Sequence, residues 1–283
     1  MEKHVLVTTS DDLSKLYGVR FVCSFFEKKS DLKVTLFYVT SELHPERGGD
    51  GRVLHTSERC SGPIAQEKLD AGKRFLHDKG FSSQQVLCKI MSKQFGTIKD
   101  IIREGKAGYY DAVVLGRRGY NVFESILSSS VSREMMDQDI TFPIWICRHP
   151  DEGRKNVLLC VDGSDSSLRI ADHVGFMLGD ESKHTITIFQ VDTGDGADLE
   201  GPREEARKVL MDNGVPAERI KTRVRSARKP AEAIMQETKE GAYAVVAVGR
   251  VGKAKSGLKQ WLVGSTSLTL LDDLEKAVLW VSK

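Results

Sequence analysis

The sequence lacks long apolar runs and any strong excess of charge of one sign, and each absence excludes a class of protein. No apolar segment approaches the roughly 20 residues that a membrane-spanning helix needs. The first residues, MEKHVLVTTSDD, carry charge at once, so we expect no signal peptide. The 42 Lys and Arg residues nearly balance the 40 Asp and Glu residues, leaving a formal charge of +2. Bulk charge therefore gives no reason to expect a nucleic acid or an anionic membrane as the main partner.

Cysteine is also scarce, and its spacing predicts neither disulfides nor a metal site. The five cysteines are odd in number, lie far apart and include no CxxC pair. The seven histidines likewise form no motif with the spacing of metal ligands. Free cysteines in apolar segments are typical of a reducing compartment, so we expect a cytoplasmic protein without a bound metal.

What the sequence does contain is an internal repeat. Its 283 residues, 40% of them hydrophobic, are enough for two folded domains at roughly 150 residues each. Three kinds of segment recur in the same order. The two segments of the first pair start 152 residues apart, and the matching glycines of the second pair are 133 residues apart. The pairs are HVLVTTSDD (4–12) with NVLLCVDGSD (156–165), YYDAVVLGRRG (109–119) with AYAVVAVGRVG (242–252), and PIWICR (143–148) with AVLWVSK (277–283). Three matches in register indicate a duplication.

Each repeat alternates apolar strands with amphipathic helices, which predicts an α/β fold. Strands rich in Val and Ile that alternate with helices are typical of a parallel sheet covered by helices on both faces. We therefore predict two repeated domains, residues 1–149 and 154–283, each with a five-stranded parallel sheet. The segment HPDEGRK at 149–155 contains Pro and Gly and is the expected linker.

Ligands of such sheets bind beyond the carboxyl ends of the strands, where the strand order reverses. In the second repeat, the first strand ends in Val-Asp162-Gly-Ser and the fourth ends at Gly249, with Gly252 three residues later. Gly264-Ser265-Thr266 then leads into a helix, whose free N–H groups suit phosphate oxygens. Spacing alone supports a tight turn with a helix cap about as well as a phosphate-binding loop.

These residues together resemble the universal stress protein family, and the resemblance covers both repeats from about residue 3. The family has a first strand ending in Val-Asp-Gly-Ser and an ATP-binding signature, Gly-x2-Gly-x9-Gly-Ser/Thr. Here VDGSDSS at 161–167 matches, whereas 11 residues instead of 9 separate Gly252 from Gly264. The resemblance implies a Rossmann-like, adenine nucleotide alpha hydrolase-like fold with strand order 3-2-1-4-5 in each domain. It also implies ribose contact by Asp162, adenine contact by the Val191 backbone, and phosphate contact by Gly249, Gly252, Gly264, Ser265 and Thr266.

The first repeat departs from this pattern at two positions. Gly116 and Gly119 keep the glycine spacing, but Ser129 replaces the last glycine before Ser130, and Ser10 stands where the second repeat has Asp162. A side chain at 129 hinders close approach of the backbone to a ligand, and a hydroxyl supplies no carboxylate. Gly116, Gly119 and Ser130 therefore form only a weaker candidate site, which we expect to be degenerate.

The function implied is that of an ATP-binding stress-response or signalling module, with Mg²⁺ held mainly by the phosphates of the nucleotide. No general base or nucleophile accompanies the loop, so at most slow ATP hydrolysis is expected. An alternative is an interaction module of the same fold that binds no nucleotide and acts through dimerisation or partner proteins. An adenylate-forming ligase or hydrolase is disfavoured, because the first strand is not followed by a Ser-Gly-Gly-x-Asp-Ser loop.

The last strand of each repeat is short and apolar, and such strands do not remain unpaired in water. We therefore predict that residues 143–148 and 277–282 pair antiparallel within one chain. The resemblance also allows a homodimer of the chain.

Overall fold

The structure, a computed structural model, describes residues 1–9, 16–40, 62–116, 140–250 and 265–282. The strands are β1 (Lys3–Thr8), β2 (Leu32–Thr40), β3 (Val86–Ser92), β4 (Ala112–Leu115), β5 (Ile144–Ile146), β6 (Val157–Cys160), β7 (Ile186–Asp192), β8 (Ile220–Ser226), β9 (Val245–Gly249) and β10 (Val278–Ser282). The helices are α1 (Tyr17–Phe25), α2 (Gly62–Asp78), α3 (Thr97–Ala107), α4 (Asp165–Leu178), α5 (Glu200–Asp212), α6 (Pro230–Glu240) and α7 (Ser265–Asp273), with 3-10 turns at Lys29–Asp31 and Ala217–Arg219. The helix predicted at 124–137 lies outside the described residues. Within these ranges, no helix has the length and apolar character needed to cross a bilayer.

All ten strands form one sheet, in the order β3-β2-β1-β4-β5-β10-β9-β6-β7-β8. Every neighbouring pair is parallel except β5–β10, which is antiparallel. The predicted α/β fold with a mainly parallel sheet is therefore confirmed. The expected layout of two five-stranded sheets needs correction, because the two halves share a single sheet. Within that sheet each half runs 3-2-1-4-5, and the exposed edge that each half would otherwise present is covered by the other.

Side chains alternate between the two faces of the sheet along each strand, and each face carries a hydrophobic core. In β1, Val5 and Val7 enter one core and Leu6 enters the other. The first core includes residues of α1, α2, α4 and α5, and the second includes residues of α3, α6 and α7. Each core contains residues from both halves of the chain, so the halves are joined by packing as well as by strand pairing.

The antiparallel pair β5–β10 lies at the centre of the molecule. Its register places Trp145 opposite Trp280. The two indole rings stack 4.2 Å apart with an interplanar angle of 5°. Both side chains are fully buried, and Trp145 Nε1 donates a hydrogen bond of 3.0 Å to Nε2 of His173 on α4.

Two lysines related by the 152-residue offset also connect the halves. Lys155 Nζ donates to the carbonyls of Ser24 and Phe25, the latter at 3.0 Å, and so places a positive charge at the carboxyl end of α1. Lys3 reaches in the opposite direction and forms an ion pair with Asp180. The linker is also fixed to the second half, since the Asp151 amide donates to the Lys276 carbonyl at 3.0 Å.

A buried carboxylate recurs in both halves at the offset of 133 residues. Glu104 accepts a hydrogen bond from Tyr110 and pairs with Lys89, at 2.9 and 2.7 Å. Glu237 likewise accepts from Tyr243 at 3.2 Å and pairs with arginines of β8. The same arrangement thus connects α3 and α6 to their neighbouring strands, as expected for duplicated units.

Candidate functional site

The candidate site lies at the carboxyl ends of β6 and β9. The chain runs from β6 outward to β7 and β8 and then returns to form β9 on the other side of β6. This reversal of strand order produces the crevice in which α/β sheets bind ligands. Asp162 lies two residues beyond β6, and Gly249 is the last residue of β9.

Asp162 organises the turn that begins α4. Its Oδ1 accepts hydrogen bonds from the amide and the hydroxyl of Ser164, at 3.0 and 2.6 Å. Gly163 between them has φ of +75°, a conformation that favours glycine. The Ser164 hydroxyl then caps α4 by accepting from the Ser167 amide at 3.2 Å. The Asp162 residue remains exposed to solvent, so its carboxylate can be approached by a ligand.

Gly249 lies in contact with the amino ends of two helices. A Cβ atom at this position would be 2.6 Å from Ser166 Oγ and 2.8 Å from both Ser166 C and Ser167 N, at the first turn of α4. On the other side, Ser267 Oγ in the first turn of α7 donates to the Gly249 carbonyl at 3.2 Å. The positive ends of both helix dipoles therefore lie next to the end of β9, an arrangement that favours an anion.

Two further predicted residues are placed near this point. In the parallel register Cys160 is opposite Phe189, and extending it by two residues places Asp162 opposite Val191. Thr266 is half-buried in the first turn of α7. Gly252 and Gly264 lie outside the described residues, and Ser265 begins α7 without a described side chain.

The weaker site predicted in the first half is described only at Gly116. This residue follows β4, and a Cβ atom there would meet none of the described residues within 4 Å. Gly119 and Ser130 lie outside the described residues, as do Ser10 and Ser129. Most of this predicted site therefore lies outside the part of the chain that the structure describes.

Sequence reasoning missed Arg250, which follows Gly249 directly. Its residue is only 5% exposed, and its Nη2 donates to the Ile140 carbonyl of the first half at 3.3 Å. No local pattern signals this contact, because it depends on how the two halves meet. Ser166, Ser167 and Ser267 were not singled out either, although the DSS and STS runs at two helix starts could have indicated them.

The Cys160 thiol beside the crevice is unsuited to nucleophilic attack. Burial raises the pKa of the Cys160 thiol well above its ordinary range, and the nearby carboxylates of Asp162 and Glu237 add to the effect. The thiol is therefore neutral and a poor nucleophile. Across the described part of the chain, no group of three or more His, Cys, Asp or Glu residues is arranged to hold a metal ion.

Comparison with known families and structures identifies the second half. Residues 153–282 match the universal stress protein family, so this segment contains a universal stress protein domain. The match does not extend to the first half. No curated protein sequence matches the chain.

Solved structures resemble the whole chain in fold. A universal stress protein from Archaeoglobus fulgidus is 18% identical, with a TM-score of 0.66 over 99% of this chain and 96% of its own. A functionally unknown protein from Pseudomonas aeruginosa PAO1 is 16% identical, with a TM-score of 0.58 over 100% of this chain and 92% of its own. At these identities, the likeness establishes the fold alone.

Proposed function

We propose that the chain is a tandem universal stress protein that binds ATP or a related adenine nucleotide in its second half and acts as a stress-response or signalling module. The observation that carries the proposal is the crevice in which β9 ends at Gly249 between the amino ends of α4 and α7. A phosphate group suits two helix amino ends that lie together, and the absence of a Cβ atom on Gly249 is what lets β9 pack this closely against α4.

The residues around the crevice would have separate roles. Asp162 would accept a hydrogen bond from a ribose hydroxyl, and the Val191 backbone would face the adenine. The phosphates would contact Gly249, Gly252, Gly264, Ser265 and Thr266, and would bring their own Mg²⁺. Hydrolysis would be slow at most, because the neutral Cys160 thiol offers no nucleophile and no general base has been identified.

The proposal extends to the organisation of the chain. Residues 1–149 would form a first universal stress protein domain with a degenerate site, and residues 154–283 the second. The repeated contacts of Glu104 and Glu237 support this division. We further propose that the protein acts in the cytoplasm, and that pairing of the halves through β5 and β10 leaves a homodimer optional.

Titration with ATP and AMP by isothermal calorimetry tests the nucleotide site. Asp162→Asn is expected to weaken binding about tenfold, because a charge-assisted hydrogen bond to the ribose is lost. Its stability should hardly change, since the amide oxygen of Asn can still accept from Ser164. Asp151→Asn is the matched control: Asp151 forms the same kind of turn, accepting from the Gly153 amide at 3.1 Å, but lies in the linker.

A thermal-shift measurement gives an independent check. ATP at 100 times its Kd should stabilise the wild-type protein by about 2.7 kcal/mol. If millimolar ATP and AMP neither bind nor stabilise the protein, the nucleotide proposal is wrong. The alternative, an interaction module that binds no nucleotide, would then be favoured.

A further inference from the structure

Two arginines cross the boundary between the halves and hold the chain segment that adjoins the proposed nucleotide site. Arg250 stands directly after Gly249 in the second half. Its amide donates to the Ser282 carbonyl of β10 at 2.7 Å, while its buried guanidinium donates to the Ile140 carbonyl of the first half. The end of β9 is therefore fixed both to its own sheet neighbour and to the first half.

Arg148 of the first half holds the helix on the other side of the crevice. Its Nη1 donates to the carbonyl of Leu271 at 3.1 Å and also to that of Asp272. These carbonyls belong to the last turn of α7, where the helix dipole is negative, so a guanidinium is favourable there. Because α7 has nine residues and is roughly 14 Å long, a displacement of its carboxyl end is transmitted to Thr266 at its amino end.

Both contacts originate from the chain on either side of β5. Ile140 lies four residues before this strand and Arg148 two residues after it, and β5 itself pairs with β10. Residues 140–148 of the first half thus contact Arg250, which follows β9, and also Leu271 and Asp272, which lie in the last turn of α7. The first half is in this way connected to both elements that flank the proposed phosphate site.

We propose that Arg148 and Arg250 are positioning residues through which the first half sets the geometry of the nucleotide site in the second half. The inference rests on the proposed nucleotide function and assigns a role to the half whose own site is degenerate. Neither guanidinium is assigned a contact with the ligand. Because coupling between two sites is reciprocal, a bound nucleotide must in turn stabilise the contacts of residues 140–148.

Calorimetric titration of ATP against Arg250→Met and Arg148→Met tests the coupling. Methionine keeps much of the apolar stem and removes the donors. Each variant is expected to bind ATP at least about fivefold more weakly, the lower end of typical coupling. Arg148→Lys keeps the positive charge at the end of α7 and should restore affinity to within about twofold of wild type.

Arg154→Met is the matched control. Arg154 also donates to a backbone carbonyl, that of Tyr243 at 3.2 Å, but it does so at the opposite, amino end of β9. The control should lose stability comparable to that lost by the other two variants while its affinity for ATP stays unchanged. A general structural role for these arginines would instead lower stability in all three variants without separating their affinities.

Hydrogen exchange on the wild-type protein gives a second readout that does not depend on variants folding. ATP should slow amide exchange in residues 140–148, for example at Cys147, whose amide donates to Leu115 at 2.8 Å. If ATP leaves exchange there unaltered, or if both methionine variants bind ATP as tightly as the wild type, the proposed coupling is wrong. The proposed nucleotide function would then still stand. Wild-type protein that binds no nucleotide would overturn the proposed function and the coupling with it.

Discussion

At the scale of single residues, the buried tryptophan pair shows where the duplicated halves differ. His173 on α4 corresponds to Phe21 on α1 at the offset of 152 residues, and both rings lie against the two indoles. The His173 ring supplies a hydrogen-bond acceptor for the Trp145 N–H, whereas the Phe21 ring supplies none for the Trp280 N–H. Consistently, Trp280 Nε1 is buried without a hydrogen-bond partner. Of the two stacked indoles, only Trp145 therefore has a hydrogen-bond acceptor for its N–H among the described residues.

The variant His173→Phe tests the value of that acceptor. At pH 7 it should lower the free energy of unfolding by about 1–3 kcal/mol, because the Trp145 N–H, like that of Trp280, becomes a buried donor without a partner. Phenylalanine should fit, since Phe21 occupies the equivalent position. Urea unfolding measures the change. The control is Trp145→Phe, in whose background the same substitution should cost much less.

The pH dependence of the same comparison has a definite sign. Burial lowers the pKa of His173 from 6.5 to about 3, so the imidazole is neutral in the folded protein. The unfolded chain takes up a proton below pH 6.5, and the wild type therefore loses stability as the pH falls from 6.5 towards 3. Phenylalanine cannot titrate, so the stability gap between wild type and variant should narrow at pH 5. A gap that widens there would contradict this account.

At the scale of elements, Gly116, which follows β4, and Gly249, which ends β9, should respond differently to the same substitution. Gly249→Ala places a methyl group against the backbone of Ser166 and Ser167 and should destabilise the protein by about 3 kcal/mol, the upper range for overpacking. At the equivalent position, a Cβ atom on Gly116 meets none of the described residues within 4 Å, so Gly116→Ala should cost much less. Thermal and urea unfolding of the two variants measure the difference, and equal losses would argue against close packing at Gly249.

This pair of glycines also shows how far the sequence could predict the fold and the site. Strand alternation and the repeated offsets were enough to predict a duplicated α/β fold, whereas the order 3-2-1-4-5 in each half came from the family resemblance. The Gly-x-x-Gly spacing is identical at 116 and 249, and nothing in it indicates that Gly249 packs against the first turn of α4. The spacing of glycines in the sequence describes only neighbouring residues, whereas the contact of Gly249 with α4 depends on the distance between β9 and that helix in the fold. For the same reason Arg250 and Arg148 could not be recognised before the halves were seen together.

At the scale of the whole molecule, the junction of the halves is built from apolar packing, strand pairing and polar contacts, several of which are buried. The pairing of β5 with β10 turns two edges into the middle of a ten-stranded sheet. β8 presents Lys221, Arg223 and Arg225, charges that discourage pairing with other chains, and the last two are neutralised by Glu237 and Glu240.

A charge placed in the β5–β10 pair should therefore loosen the whole molecule. Ile146 is 2% exposed and pairs with Leu279 across the junction. Ile146→Glu is expected to lower the free energy of unfolding by more than about 4 kcal/mol, because a buried carboxylate would have no partner. Small-angle scattering before the unfolding transition should show a larger radius of gyration as the halves separate. Val224 on the edge strand β8 is 38% exposed, so Val224→Glu, which adds the same charge there, should change stability by less than about 0.5 kcal/mol. Unchanged compactness and stability in Ile146→Glu would mean that the halves are held together elsewhere than at this strand pair.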